Sequence, residues 1–296
     1  MKEAFTINPK ESKEFERTAS EILNISNLNL NFSKSVVTKK DFIIKTITYE
    51  ITTGNKVLGV EENDFDEKIF ILKITGNINF SQISWDIYTT PKEIKDLFEQ
   101  MRKDISKSDK NIITDTMTRY FKLVKSNSYD SIYTNIDKIL SYIIYFYNKT
   151  TARDLPILKE FLKISAISFS NNNGIKPFEG YAEKKADPRY LRLVIKKIFS
   201  PLENLLFKQR NRRWIVLKDD MICYLNDPNN QVGKNVYWFD ENIEINKVED
   251  KILEIESLSS LSINLNLKFD SKFERDLWFK EINERIEKKK RRDIAK

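Results

Sequence analysis

The residues best suited to binding chemistry are cations that lead directly into an apolar stretch. Arg210, Arg212 and Arg213 stand immediately before the run Trp214 to Leu217. A short run of aromatic and β-branched residues predicts a strand. Arg side chains at the start of a strand can form charge-assisted hydrogen bonds with phosphate. This segment therefore suits an anionic partner, either a lipid surface or a nucleic acid.

The residue types that the chain lacks exclude much enzyme chemistry. The 296 residues contain no histidine, which removes Ser-His-Asp and Cys-His nucleophilic systems and His-based metal sites. The single cysteine, Cys223, excludes an internal disulfide and zinc sites built from several cysteines. Neither G-x-G-x-x-G nor a phosphate loop ending in Gly-Lys-Ser/Thr occurs. Carboxylate pairs such as Glu61 and Glu62 arise by chance among 44 acidic residues. We expect no catalytic residue, metal or cofactor.

Net charge and hydropathy limit the classes of partner that the chain is expected to bind. A formal charge of +7 and a pI near 9.1 favour anionic partners, although free use of Lys, Ile and Asn could supply much of that excess. The longest apolar run, Ile139 to Tyr147, is too short to span a bilayer, and the N-terminus has no secretory signal. One cysteine is compatible with a reducing compartment. We therefore expect a cytoplasmic protein with no transmembrane segment, which meets membranes only at their cytosolic surface.

The first part of the chain predicts an α+β unit at residues 37–168. Residues 1–36 form a polar leader that we expect to be partly disordered. Alternating β-branched segments predict a three-stranded meander at Phe42–Thr52, Ile69–Thr75 and Gln82–Tyr88, with a turn at Gly76-Asn77. Apolar residues at helical spacing predict helices at Pro91–Met101, Tyr129–Asn148 and Leu155–Ile164. The polar stretch 104–128 predicts a loop with a short helical turn at Arg119–Val124.

Residues 174–296 predict a second, strand-rich unit. Its expected strands are Gly180–Lys185, Arg213–Lys218, Met221–Leu225, Tyr237–Ile245, Ile252–Ile255 and Ser262–Phe269. Ser271 and Glu274 form a capping-box pattern, which predicts a C-terminal helix that buries Trp278. Apolar and basic residues interleave over 187–209, which predicts an amphipathic helix broken near Pro201.

Three motifs around the boundary of the two units carry a family resemblance. They are Leu158-x-x-Phe161-Leu162-x-Ile164-Ser165-x-x-Ser168-Phe169, then Gly174-x-Lys176-x-x-Glu179-Gly180-Tyr181-x-x-Lys184, then Arg212-Arg213-Trp214-Ile215-Val216-Leu217-Lys218-Asp219. Together they resemble the junction of the PX and PH domains in the eukaryotic phospholipase D family. The resemblance implies an α+β chain with a PX-like meander and helices, followed by a PH-like β-barrel or sandwich closed by a C-terminal helix. In that family these domains are the phosphoinositide-binding front of a phosphatidylcholine hydrolase.

The resemblance also implies a set of lipid-binding residues. The first strand of a PH-like pocket supplies Lys184, the second supplies Arg213 flanked by Arg210 and Arg212, and the third supplies Tyr224. Asn211 departs from the pattern, because a cation is usual there. The alternative is that these residues are solvated cations at the end of a strand and bind no ligand. Auxiliary membrane contacts are expected from the basic residues Arg192, Lys196, Lys197, Lys288, Lys289, Lys290, Arg291 and Arg292.

The PX-like half lacks the cations that its family uses. Asp86 to Pro91 follow Trp85 without the expected Arg, and the helix position of a second Arg falls in Asn135 to Lys138. We therefore expect this half to be structural or to bind a protein.

Three functions stay open at this point. The leading hypothesis is a noncatalytic, peripheral membrane module in signalling that binds polyphosphoinositides through its PH-like domain. One alternative is a protein-interaction scaffold with PX- and PH-like folds and no lipid ligand. The other is an N-terminal fragment of a phospholipase D, since the family's H-x-K-x-x-x-x-D motifs are absent here. Nucleic-acid binding rests on net charge alone, because the aromatic residues lie in apolar patterns rather than among the basic clusters.

Overall fold

The chain folds into two antiparallel sheets with helices, an α+β architecture as the sequence predicts. The computed structural model describes residues 42–61, 63–78, 81–108, 129–148, 156–169, 176–185, 210–230, 233–240, 242–257 and 264–294. The predicted leader at 1–36, the helical turn at 119–124 and the amphipathic helix at 187–209 lie outside these residues. No helix in the described part of the chain is long and apolar enough to cross a membrane.

The first sheet is the predicted three-stranded meander. It contains β1 (Phe42–Thr53), β2 (Lys68–Ile78) and β3 (Ser81–Thr89) in the order β1-β2-β3. The predicted turn at Gly76-Asn77 is wrong, because β2 continues through both residues and Gly76 pairs with Ile44 and Ile83. A Cβ atom at position 76 would lie 2.6 Å from the ring of Phe42. Glycine therefore serves here for a close approach of β1 to β2 rather than for a turn.

Among the described residues, two short helical segments lie between β1 and β2, and three helices follow β3. They are α1 (Gly54–Leu58), a 3₁₀ turn (Asn63–Phe65), α2 (Pro91–Ser108), α3 (Asp130–Asn148) and α4 (Pro156–Phe161). The helix α2 therefore runs past residue 104, where a loop is predicted, and α4 ends before the predicted Ile164. At the start of α2, the Thr90 N–H donates to Glu93 Oε2 at 2.7 Å and the Glu93 N–H donates to Thr90 Oγ1 at 3.2 Å. This reciprocal pair is a capping box.

One side chain joins the end of α3 to the edge of the first sheet. The Ile44 N–H donates to Asn148 Oδ1 at 3.0 Å, and Asn148 Nδ2 donates to the Ile44 carbonyl at 2.7 Å. The β1–β2 register shifts between Ile44 and Thr46. The Asn148 amide thus occupies both main-chain hydrogen-bonding groups of Ile44, beside a bulge in β1.

The second sheet has seven strands in the described residues. They are β4 (Phe178–Lys185), β5 (Arg210–Leu217), β6 (Met221–Leu225), β7 (Asn235–Trp238), β8 (Ile243–Glu249), β9 (Ile252–Ser257) and β10 (Asn264–Lys268), in the order β7-β6-β5-β4-β10-β9-β8. The expected barrel is not closed, because among the described strands β7 and β8 remain as unpaired edges.

The strand predicted at Tyr237–Ile245 is two strands, β7 and β8. The Phe239 N–H leaves the ladder and donates to the Asp220 carbonyl at 2.8 Å. Asp240 Oδ1 then accepts the Asn242 N–H at 3.0 Å. An Asp side chain that binds a backbone N–H two residues later favours a turn, which ends β7.

The helix α5 (Lys272–Ile294) packs on the second sheet. The Glu274 N–H donates to Ser271 Oγ at 3.0 Å, which confirms the predicted N-terminal cap. Trp278 is buried, with its ring 4.8 Å from that of Phe178 and 5.7 Å from that of Phe269. Loss of such a buried Trp side chain costs about 3 to 5 kcal/mol.

Each sheet has its own large apolar core. One core joins β1–β3 with α2, α3, α4 and residues up to Ile164, and we call these elements the first unit. The other joins β4–β10 with α5, and we call these elements the second unit. A smaller cluster places Ile167 against Trp214, Val216, Cys223 and Leu225, so the end of the first unit packs on the outer face of β5 and β6.

Candidate anion-binding site

The pairing of β4 with β5 decides which cations share a face of the second sheet. Lys184 lies opposite Asn211, and Ala182 lies opposite Arg213. Successive side chains of a strand point to opposite faces. Asn211 and Arg213 therefore lie on the face of Ile215, which belongs to the second unit's core.

The structure brings Lys184, Arg213 and Tyr224 to this inner face. Tyr224 of β6 lies opposite Ile215, and the Lys184 ammonium is 5.1 Å from the centroid of the Tyr224 ring. A cation over an aromatic face is attracted electrostatically. Lys184 is only 8% exposed, and its ammonium also donates to the Lys185 carbonyl at 3.1 Å. These contacts hold the Lys184 ammonium near the end of the strand.

The inner-face residues lie at the end of the sheet from which three connections leave. The chain segments 186–209, 226–234 and 258–263 connect β4 to β5, β6 to β7 and β9 to β10. Because neighbouring strands are antiparallel, all three segments emerge at the same end. Arg213 is partly exposed there, and its Nη1 donates to the Arg212 carbonyl at 3.2 Å. The inner face at this end thus carries the partly exposed Arg213 and Asn211 side chains beside the buried Lys184.

Arg210 and Arg212 lie on the opposite, outer face. The Arg212 guanidinium is exposed and sits 4.2 Å from the centroid of the Tyr181 ring. The Tyr181 hydroxyl donates to Glu160 Oε1 at 3.3 Å, while Arg210 Nη1 donates to the Glu183 carbonyl at 3.4 Å. The predicted set of five binding residues is therefore divided by the strand's alternation, and only three of them share the inner face.

The outer-face contact of Tyr181 changes its titration. Burial, followed by the negative charge of Glu160, raises the pKa of Tyr181 to about 12. Burial also raises the pKa of Glu160. The hydrogen bond from Tyr181 and the positive charge of Arg212 act in the opposite direction and lower that pKa. These groups belong to the contact between the first unit and β4–β5.

The auxiliary basic residues fall into two groups. Lys288 to Arg292 occupy the last turns of α5, beyond Ile286, the last core residue of that helix. Lys288, Arg291 and Arg292 are exposed, and Lys290 pairs with Glu287 at 3.7 Å. Arg192, Lys196 and Lys197 lie outside the described residues.

Residues from all three motifs at the boundary of the two units contact one another in one buried polar network. Glu179 of β4 accepts hydrogen bonds at Oε1 from Ser168 Oγ and, at 3.1 Å, from Lys176 Nζ. Its Oε2 accepts the Trp214 indole N–H at 2.7 Å. The Lys176 and Glu179 side chains are 2% and 0% exposed. Burial lowers the pKa of Lys176, and the charge of Glu179 opposes that effect.

This network joins the segment that leads out of the first unit to the second sheet. The Ser165 N–H donates to Ser168 Oγ at 2.7 Å, and the Lys176 ammonium lies 5.4 Å from the centroid of the Trp85 ring. The contacts among these motif residues were not predicted from the sequence. The available signal was a Glu and a Lys three positions apart within an otherwise apolar segment, since buried charges are paired.

Comparison with known proteins gives no further guide to this site. No model of a known protein family matches the chain, and a search of curated proteins finds none similar to it in sequence.

Proposed function

We propose that this chain is a noncatalytic membrane-targeting module that binds polyphosphoinositides through a PH-like second unit. The observation that supports this most is the shared inner face of Lys184 and Arg213, beside Tyr224, at the end where three connections leave the sheet. Two cations on one face can bind separate phosphate oxygens of one headgroup. The antiparallel sheet with its C-terminal helix over a buried Trp278 also fits the plan that the resemblance implies.

The division of the cations limits how much affinity the inner face can supply. Hydrogen bonds to charged groups contribute about 1.5 to 3 kcal/mol each. Two of them give roughly 3 to 6 kcal/mol before the losses of association, which corresponds to weak binding by the inner face alone. Basic residues near an anionic leaflet add about 1 kcal/mol each. The basic end of α5, from Lys288 to Arg292, would therefore strengthen binding to a membrane over binding to a free headgroup.

The PX-like role of the first unit is also a proposal. Its meander and following helices fit that plan, while Asp86 to Pro91 offer no Arg at the end of β3. Trp85 donates its indole N–H to the Leu162 carbonyl at 3.1 Å, so it helps to hold the segment that leads to the second unit. We infer a structural or protein-binding role for this unit.

Vesicle co-sedimentation tests the proposal. Phosphatidylcholine vesicles containing phosphatidylinositol bisphosphate should pellet the protein at physiological salt, and pure phosphatidylcholine vesicles should not. Vesicles with phosphatidylserine at matched surface charge should pellet clearly less, because diffuse charge cannot use the paired positions of Lys184 and Arg213. Failure to pellet with any anionic vesicle would reject the lipid function and favour the protein scaffold.

A further inference from the structure

The backbone of Lys163 adopts a conformation that usually belongs to glycine. Its φ is 54°, and it is the one non-glycine residue with positive φ among those that the structure describes. Lys163 N–H donates to the Glu160 carbonyl at 3.1 Å, and Ile164 N–H donates to the Lys159 carbonyl at 2.9 Å. This is the hydrogen-bond pattern of a Schellman motif at the end of α4, with Lys163 at its left-handed position. A side chain at that position is strained, so its presence needs a reason.

The Lys163 side chain reaches from the first unit into the second. Its Nζ and Cδ lie 3.6 and 3.9 Å from the point that a Cβ of residue 180 would occupy, and Trp278 Cζ2 lies 3.7 Å from the same point. Gly180 belongs to β4 and Trp278 to α5. The absence of a side chain at Gly180 leaves the space through which the lysine passes.

The Lys163 side chain approaches the face of α5 on which Trp278 and, one turn earlier, Glu274 lie. Burial raises the pKa of Glu274, Lys163 is the strongest influence that lowers it, and Asp270 and Glu93 raise it further. Glu274 follows the N-terminal cap of α5, and Glu93 is the capping-box residue of α2. The Glu274 and Glu93 carboxylates of the two units therefore repel each other, and the positive charge of Lys163 opposes that repulsion at Glu274.

We propose that Lys163 is an electrostatic latch between the two units. Its strained backbone directs the side chain past Gly180 toward α5, where its positive charge offsets the repulsion between Glu274 and Glu93. The latch fixes the start of α5 against the first unit. The cation-bearing end of the second sheet then keeps one direction relative to the first unit. This role is independent of the proposed lipid binding.

Other contacts support the same helix and supply a control. Lys272 of α5 pairs with Asp64 of the 3₁₀ turn at 2.6 Å, and both side chains are more than 40% exposed. An exposed pair of this kind contributes little to stability. Asp64→Asn therefore removes a charge contact between the 3₁₀ turn and α5 without touching the latch.

Replacement of Lys163 by glycine separates the latch from a simple helix cap. If Lys163 only ended α4, Lys163→Gly would relieve strain and raise the melting temperature by about 2 to 4 °C. The latch predicts a fall in melting temperature instead. It also predicts at least about tenfold faster hydrogen exchange of the amides in the first turns of α5, measured by mass spectrometry. A stabilised Lys163→Gly variant with unchanged exchange would overturn the proposal.

A double-mutant cycle tests the charge contact itself. Glu274→Gln keeps a capping-box residue and removes the charge. We expect the loss of melting temperature caused by Lys163→Met to be at least halved when Glu274→Gln is also present, because the two residues then no longer attract. In the Asp64→Asn background that loss should be unchanged. Equal losses of Lys163→Met in the wild-type and Glu274→Gln backgrounds would contradict the latch.

Discussion

Arg212 and Arg213 are consecutive residues of β5 and lie on opposite faces of the second sheet. Arg213 shares its face with Lys184 and Tyr224, whereas the Arg212 guanidinium stacks on Tyr181 at 4.2 Å. The two residues carry the same charge on the same strand. They therefore form a matched pair that can separate a specific site on one face from a general effect of positive charge.

The buried network around Glu179 should be important for stability. We predict that Glu179→Gln lowers the free energy of unfolding by about 3 kcal/mol, because it leaves the buried Lys176 without its ion-pair partner. Urea denaturation measures this loss. Lys176→Met should cost less, because Glu179 keeps the donors Ser168 and Trp214.

The control for Glu179 is a carboxylate in an exposed pair. Glu99 lies 4.0 Å from Lys95 and its side chain is 52% exposed, so Glu99→Gln should change the free energy of unfolding by less than about 0.5 kcal/mol. If Glu179→Gln were no more harmful than Glu99→Gln, the network would have no structural role.

Gly76 should tolerate no side chain. A Cβ there would lie 2.6 Å from the Ile43 carbonyl oxygen and from the Phe42 ring, so we predict that Gly76→Ala lowers the free energy of unfolding by about 2 kcal/mol. Gly233 has no atom within 4 Å of its would-be Cβ, and Gly233→Ala should be nearly neutral. Urea denaturation of the two variants compares them, and equal stability would refute the close packing of β1 on Gly76.

Alkaline pH should weaken the fold through Cys223. Burial raises the pKa of its thiol from 9.0 to about 12. Between these values the unfolded chain loses the thiol proton while the folded chain retains it. The contribution of this thiol to the free energy of unfolding is therefore fully present below pH 9.0 and is lost as pH rises toward 12.

A comparison with Cys223→Ala isolates this contribution. Between about pH 8 and 10.5, the wild type should lose roughly 2 kcal/mol of unfolding free energy more than the variant does. Urea denaturation across this range measures the difference. Parallel pH profiles of the two proteins would show that the thiol is not held protonated by the fold.

The alternation of apolar residues was sufficient to predict several elements. β1, β2 and β3 form the expected meander, and β6 has the expected bounds, Met221 to Leu225. The Ser271 cap of α5 was also readable, because its oxygen serves an N–H only three residues away. These strands and this cap depend on residues that are close together in the sequence, so they can be predicted from it.

The predictions that were wrong concern features that depend on contacts between residues far apart in the sequence. Gly76 looked like a turn residue, but its role depends on the Phe42 ring in another strand. β7 ends early because the Phe239 N–H donates to the Asp220 carbonyl across the β5–β6 turn. Strand alternation alone separates Arg212 from Arg213, and the prediction that both belong to one pocket overlooked it. The position of Lys184 opposite Asn211 depends on a pairing register that the sequence does not display.

The most direct test of the proposed function compares Arg213→Gln with Arg212→Gln. Each variant loses one positive charge from the same strand, so diffuse attraction to an anionic membrane falls equally. Binding to vesicles that contain phosphatidylinositol bisphosphate is measured by co-sedimentation, with phosphatidylserine vesicles of matched charge as the reference. If the inner face binds the headgroup, Arg213→Gln should weaken bisphosphate-dependent binding about tenfold or more, because it removes a hydrogen bond to a charged group. Arg212→Gln should weaken that binding by no more than about fivefold, which corresponds to the loss of one basic residue near an anionic leaflet. Equal effects of the two substitutions, or a larger effect of Arg212→Gln, would contradict a phosphoinositide site on the face of Lys184 and Tyr224.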